Sequence, residues 1–161
     1  MLRLANGYEK EITDQMRLVF LDSEYKYYFV GYRFLDENFI TQDSVHYVSV
    51  NDYGVVIGYF FTELSRDEND VKSVGVIRFI KDKEWDVMFS KDLGNFLIEL
   101  TEVFRKIEFS VIIGNPIEKS YDKLVKRFGG RIVGTFTKTC RLKDGRYYDE
   151  KWYEIFPKKN E

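Results

Sequence analysis

Asn115 to Phe156 reads NPIEKSYDKLVKRFGGRIVGTFTKTCRLKDGRYYDEKWYEIF, and this stretch decides the fold. Asn115 can cap a helix that has Pro116 at its first position and Glu118 at its third, the spacing of a capping box. Ile117, Tyr121, Leu124, Val125 and Phe128 fall on one helical stripe. Gly129-Gly130 then stops the helix, because glycine enters the left-handed region without a Cβ clash. The helix is therefore expected over 115–128. Two strands follow, 131–141 and 146–156, joined at Lys143-Asp144-Gly145, a hairpin turn.

Working upstream, Phe109 to Ile113 (FSVII) is a short continuous apolar strand, as expected in a sheet covered on both faces. Leu93, Phe96, Leu97, Leu100, Val103, Phe104 and Ile107 make one stripe, which predicts a helix over about 91–106, with KDKEWDVMFSKD before it as a loop. Strands are expected at 45–50, 55–64 and 71–80, the first two joined at the turn Asn51-Asp52-Tyr53-Gly54. SRDEND reads as a solvated connection. Ile12, Met16, Val19 and Phe20 predict a helix over 9–21, and the aromatic EYKYYFVGYRF (24–34) reads as a helix end and loop. A short strand is expected at 2–5. The order, a three-strand meander followed by β-α-β-α-β-β, predicts an α+β fold with a mixed sheet flanked by helices, one domain over 1–161.

The bulk numbers bound the function. With 161 residues, 44% hydrophobic and 32% charged, the chain can bury a core. Its net charge of -2 argues against a non-specific nucleic-acid binder, which would be basic. One cysteine, Cys140, and one histidine, His46, argue against a disulfide framework and a Cys- or His-based metal site. No apolar run reaches the length of a membrane span, and the N-terminus lacks a signal-like apolar region. A cytoplasmic location and no membrane partner are the expectations.

The element order resembles the GNAT fold of the acyl-CoA N-acyltransferases. The resemblance is most specific in the strand end at Asn115, the helix 116–128, the Gly129-Gly130 step, Ile132-Val133-Gly134 and the hairpin Asp144-Gly145-Arg146-Tyr147-Tyr148-Asp149. Val56-Ile57-Gly58-Tyr59 is similar to the family's third strand, which often reads "xxGy". The flavour is closest to divergent bacterial and phage-borne members. What the resemblance implies is a mostly antiparallel sheet with helices on both faces, splayed between its fourth and fifth strands, here 71–80 and 109–113. Acetyl-CoA would be the co-substrate, with no metal.

Each further role is likewise implied by the resemblance. The pantetheine arm would lie against the exposed backbone of the fourth strand, at Ile77, Arg78 and Phe79. The pyrophosphate loop would be Lys91-Asp92-Leu93-Gly94-Asn95-Phe96, of which Lys91, Leu93, Gly94 and Asn95 are the candidate cofactor contacts. Lys stands where the family has Gln or Arg, and Phe96 where it has a small residue. Asn115 is a further cofactor contact. Lys123, with Lys119, Lys126 and Arg127, would face the 3′-phosphate. The tyrosine that protonates the leaving thiolate would fall at Val125 or Lys126, so the acid is missing there, and Tyr121 one turn earlier is the substitute. Glu63 is the candidate base. The aromatic stretch 25–34 would line the acceptor pocket, and the last strands are where a homodimer partner would meet the chain.

Simpler readings stand beside these. Tyr121 lies on the apolar stripe and serves as a core tyrosine. Asn115 is a sufficient helix cap, and Ser90 could cap a plain helix start. Glu63 and the lysines fit a solvated surface, and Cys140 an inert strand thiol. Two functions follow: an N-acyltransferase acting on a small-molecule or peptide amine, or a GNAT-fold binding or regulatory module that has lost catalysis. The fold alone does not choose the acceptor.

Overall fold

The computed structural model describes residues 1–21, 27, 44–63, 71–79 and 83–156. The strands β1 (Leu2–Leu4), β2 (His46–Val50), β3 (Val56–Glu63), β4 (Val71–Arg78), β5 (Lys106–Ile112), β6 (Arg131–Arg141) and β7 (Tyr147–Ile155) form one sheet in the order β1-β2-β3-β4-β5-β7-β6. The helices are α1 (Glu9–Leu21), α2 (Lys83–Val103) and α3 (Glu118–Arg127). β1–β2, β2–β3, β5–β7 and β6–β7 are antiparallel, and β4–β5 is parallel. This is the mixed, mostly antiparallel arrangement expected from the sequence.

The chain forms two compact units, Met1–Leu64 with Val74–Glu99, and Ser65–Ser73 with Leu100–Glu161. In the first, strand alternation sends residues of β3 to two helices. Tyr59 and Phe61 join Ile12, Met16 and Val19 of α1 in one cluster. The three α1 side chains are 0–1% exposed, and burying each contributes about 2 kcal/mol. On the opposite face Phe60 stacks on Phe89 and Phe96 of α2, with ring centroids 5.1 and 5.4 Å apart. Gly58 lies under the same helix: a Cβ there would sit 2.2 Å from the Phe89 ring. The glycine of the Val56-Ile57-Gly58-Tyr59 strand is thus a packing requirement. The β2–β3 turn forms as read, with Asn51 Oδ1 accepting the N–H groups of Tyr53 and Val55 and Gly54 at φ 81.

α2 corrects the expected loop over KDKEWDVMFSKD and the expected helix 91–106. It begins at Lys83 and ends at Val103. The reason is a stripe that starts earlier: Phe89 is buried one turn before Leu93 and two before Phe96. At the other end Val103 is 70% exposed and Ile107 is already a buried residue of β5.

In the second unit α3 packs against β5 and β7. Tyr121 meets Phe109 and Tyr153 edge to face. The helix begins at Glu118, later than expected, because Glu118 N–H and Ser120 N–H make three-residue bonds to Asn115 and Ile117 carbonyls, a tighter opening turn. The cap chemistry still operates: Asn115 Oδ1 accepts Ile117 N–H at 3.1 Å, while Glu118 reaches Gly114 N–H rather than that of Asn115. The stop is a Schellman motif, with Gly130 N–H to Val125 O, Gly129 N–H to Lys126 O, and Gly129 at φ 72. β5 is covered on both faces only at its end, where Val111 and Ile112 are both buried. Ile107, Phe109 and Val111 are buried, whereas Lys106, Glu108 and Ser110 are half-buried on the other face.

Candidate functional site

The sequence-selected residues belong to both units. Ile77 and Phe79 are buried in the core cluster of the first unit, and Arg78 between them is half-buried. Phe79 donates its N–H to Ile57 O at 3.0 Å, so its backbone is turned toward β3. The described β4–β5 register runs from Val71↔Lys106 to Ser73↔Glu108. β4 continues to Arg78 and β5 to Ile112.

Lys91, Leu93, Gly94 and Asn95 do not form a loop. All four lie inside α2, which starts at Lys83, so their backbone N–H groups serve the helix instead of facing an anion. Lys91 and Asn95 are exposed, Gly94 is half-buried and Leu93 is buried. Asp92, between them, is 3% exposed and faces the sheet: it accepts Ser49 Oγ–H at 2.6 Å and pairs with the Met1 ammonium at 3.0 Å. The expected phosphate loop is therefore a run of ordinary helical turns, and its acidic residue is a structural acceptor.

In the second unit Asn115 is buried at 8% and serves as a cap: its N–H goes to Ile112 O and its carbonyl takes Glu118 N–H. Tyr121 is 7% exposed on the sheet side of α3. Lys119, Lys123, Lys126 and Arg127 are exposed along its outer side. Glu63 is the last residue of β3, and its side chain lies outside the described residues, as does the tyrosine-rich stretch 25–34 apart from Tyr27.

Sequence reasoning missed a polar cluster beside Tyr121. Tyr153, fully buried, donates its O–H to Asp122 Oδ1 at 2.7 Å, and Lys151 Nζ bonds Glu118 and, at 3.3 Å, Asp122. The Tyr153 hydrogen bond, and then Lys151, hold the Asp122 carboxyl below the ordinary range. Lys151 and the Gly114 N–H lower Glu118, and Glu118 in turn raises Lys151. Burial, then the Asp122 acceptor, pushes the Tyr153 phenol far up. The signal was available: Glu118 and Asp122 are four apart on one helix face, and Lys151 and Tyr153 two apart on one strand face. The cluster fixes α3 to β7.

Cys140 is half-buried, and burial followed by the Glu150 charge raises its thiol, which leaves it a poor nucleophile. Among the described residues no group of His, Cys, Asp and Glu could hold a metal ion, and no helix is long and apolar enough to cross a membrane.

No protein-family profile and no curated relative match the chain in sequence. Solved structures do match in shape. A presumed acetyltransferase from Acinetobacter baylyi ADP1 is 17% identical with a TM-score of 0.73, covering 99% of this chain and 94% of that one. The ribosomal-protein-S5-alanine acetyltransferase from Vibrio fischeri is 14% identical with a TM-score of 0.72, over 99% and 94%. A GCN5-related N-acetyltransferase from Kribbella flavida is 19% identical with a TM-score of 0.70, over 97% and 96%.

Proposed function

We propose that this chain, which has the GNAT fold, transfers an acyl group from acetyl-CoA to an amine. The observation that carries the reading is the near full-length match in fold to acetyltransferases. The order of strands supports it too: β4 and β5 are the parallel pair, and their described register covers three residues of each. An open strand edge offers N–H and C=O groups to an amide-bearing ligand that adds like a strand. Arg78, whose backbone alternates away from the β3-facing groups of Ile77 and Phe79, is the residue of β4 assigned to it. The anion site moves from Lys91–Asn95 to the opening turn of α2, which begins at Lys83.

Transfer is by direct attack. The amine nitrogen forms the new C–N bond at the thioester carbonyl, the C–S bond breaks, and the amine proton leaves to solvent or to Glu63. The thiolate departs without help from Tyr121, whose ring is seated in the α3–sheet core. Titration calorimetry with acetyl-CoA tests the reading, and absence of heat at millimolar ligand would remove it.

One observation favours a second reading, a GNAT-fold module without turnover: the segment that most resembled the phosphate loop is plain helix. Acetyl-CoA binding without acetyl transfer across a panel of amines would establish that alternative.

A further inference from the structure

β6 and β7 present an aromatic and acidic group on the face of the sheet opposite α3. Phe136 and Glu150 are direct register partners, as are Glu150 and Ile112. Trp152, two residues on, is paired with Ser110 on one side and Gly134 on the other. Direct partners in an antiparallel ladder share a face, so Phe136, Glu150, Trp152 and Ser110 project together. Phe136 stands edge-on to Trp152, with centroids 6.1 Å apart and planes at 82°, and is 57% exposed. A side chain at Gly134 would meet nothing within 4 Å, which leaves an open notch beside Trp152. The buried Trp152 N–H has no hydrogen-bond partner, so the indole acts here through its ring.

Charge distinguishes Glu150 from its neighbours. Glu108 is paired with Lys106, and Glu154 with Arg131 at 2.5 Å and Lys106 at 3.7 Å. Glu150 accepts only the Ser110 hydroxyl, at 2.7 Å, and has no ion-pair partner among the described residues. A carboxylate that no cation of the described residues pairs with, flanked by an exposed ring, favours a positively charged ligand. Such a ligand gains a charge-assisted hydrogen bond and cation–π contact together, while a neutral one gains at most a hydrogen bond without the charge attraction or the cation–π contact, and an anion is repelled.

We infer that Glu150, Phe136 and Trp152 form a docking point for an organic ammonium ion, with the Gly134 notch taking the carbon attached to it. The inference rests on the acyl-transfer reading only in assigning that ammonium to the acceptor, which makes the acceptor a cationic amine. Docking itself needs no acyl-CoA.

The test is a nuclear magnetic resonance titration of the full chain with n-butylammonium chloride, against 1-butanol in the same salt. Amide shifts at Phe136, Glu150 and Trp152 are expected to saturate with a dissociation constant of about 1–10 mM for the ammonium, and to stay unsaturated with the alcohol. Glu150→Gln, nearly isosteric, is expected to weaken binding about tenfold. Gly134→Val, at a position with ordinary backbone and open space, is expected to abolish it by filling the notch. No saturable shift by about 100 mM ammonium, an equal response to the alcohol, or undiminished binding by a folded Glu150→Gln chain each overturns the inference. Acetyl-CoA calorimetry on the same sample is independent of this outcome, so the two readings fail separately.

Discussion

Gly58→Ala is expected to destabilise the protein by about 1–2 kcal/mol, although alanine is the smallest possible addition. The new methyl would lie 2.2 Å from Phe89 Cε2, 2.5 Å from Cδ2 and 3.2 Å from the Ile77 carbonyl oxygen. Ordinary carbon contact needs about 3.7 Å, so the ring must retreat by about 1.5 Å. It has nowhere to go. Phe89 is 4% exposed and stacks on Phe60, which is fully buried and stacks on Phe96. Overpacking of this kind costs about 1–3 kcal/mol, and the stiffer unfolded chain returns about 0.4–1 kcal/mol. Phe89→Ala alone should cost about 3–5 kcal/mol. In the double variant the methyl occupies space the ring has left, so the two losses should fall short of their sum by at least about 1 kcal/mol. Urea unfolding of the four proteins measures this cycle. Losses that add within about 0.5 kcal/mol, or a neutral Gly58→Ala, would refute the packing account of this glycine.

Further outcomes follow from the same reasoning. Tyr121→Phe should leave acetyl transfer within about threefold, because its ring packs on Phe109 and Tyr153; a loss of about a hundredfold in kcat would mark it as the general acid instead. Lys91→Ala and Asn95→Ala should leave acetyl-CoA affinity within about twofold by calorimetry, since both are exposed mid-helix positions. Gly130→Ala should cost about 2–3 kcal/mol of stability in urea unfolding, because its Cβ would meet the Glu154 carbonyl at 2.3 Å, and Gly129→Ala should cost at least about 1 kcal/mol through its φ of 72. Asp122 and Glu118 have lowered pKa values, from 3.8 and 4.5, so their stabilisation is present above those values and is lost as pH falls through the folded ones. Asp122→Asn should therefore flatten the acid limb of a thermal-stability profile below about pH 4, and an unchanged limb would contradict the pairing.

Local chemistry was legible wherever residues close in sequence settle the matter. Asn51 and Gly54 specify their turn, Asn115 its cap and Gly129-Gly130 their stop through backbone groups a few residues away. Spacing alone located α1 and every strand to within three residues. The start of α2 was not legible, because its first turns depend on Phe89 finding Phe60, and that pairing joins positions far apart in the chain. The same burial converts Lys91–Asn95 from a resemblance to a phosphate loop into helix. Pairing across the sheet likewise decided the rest. It took the strand order to bring Lys151 and Tyr153 to Glu118 and Asp122, and register to set Phe136 beside Glu150. Local hydrogen bonds act over a few residues and can be read along the chain; burial and register act between distant segments and exist only once the chain has folded.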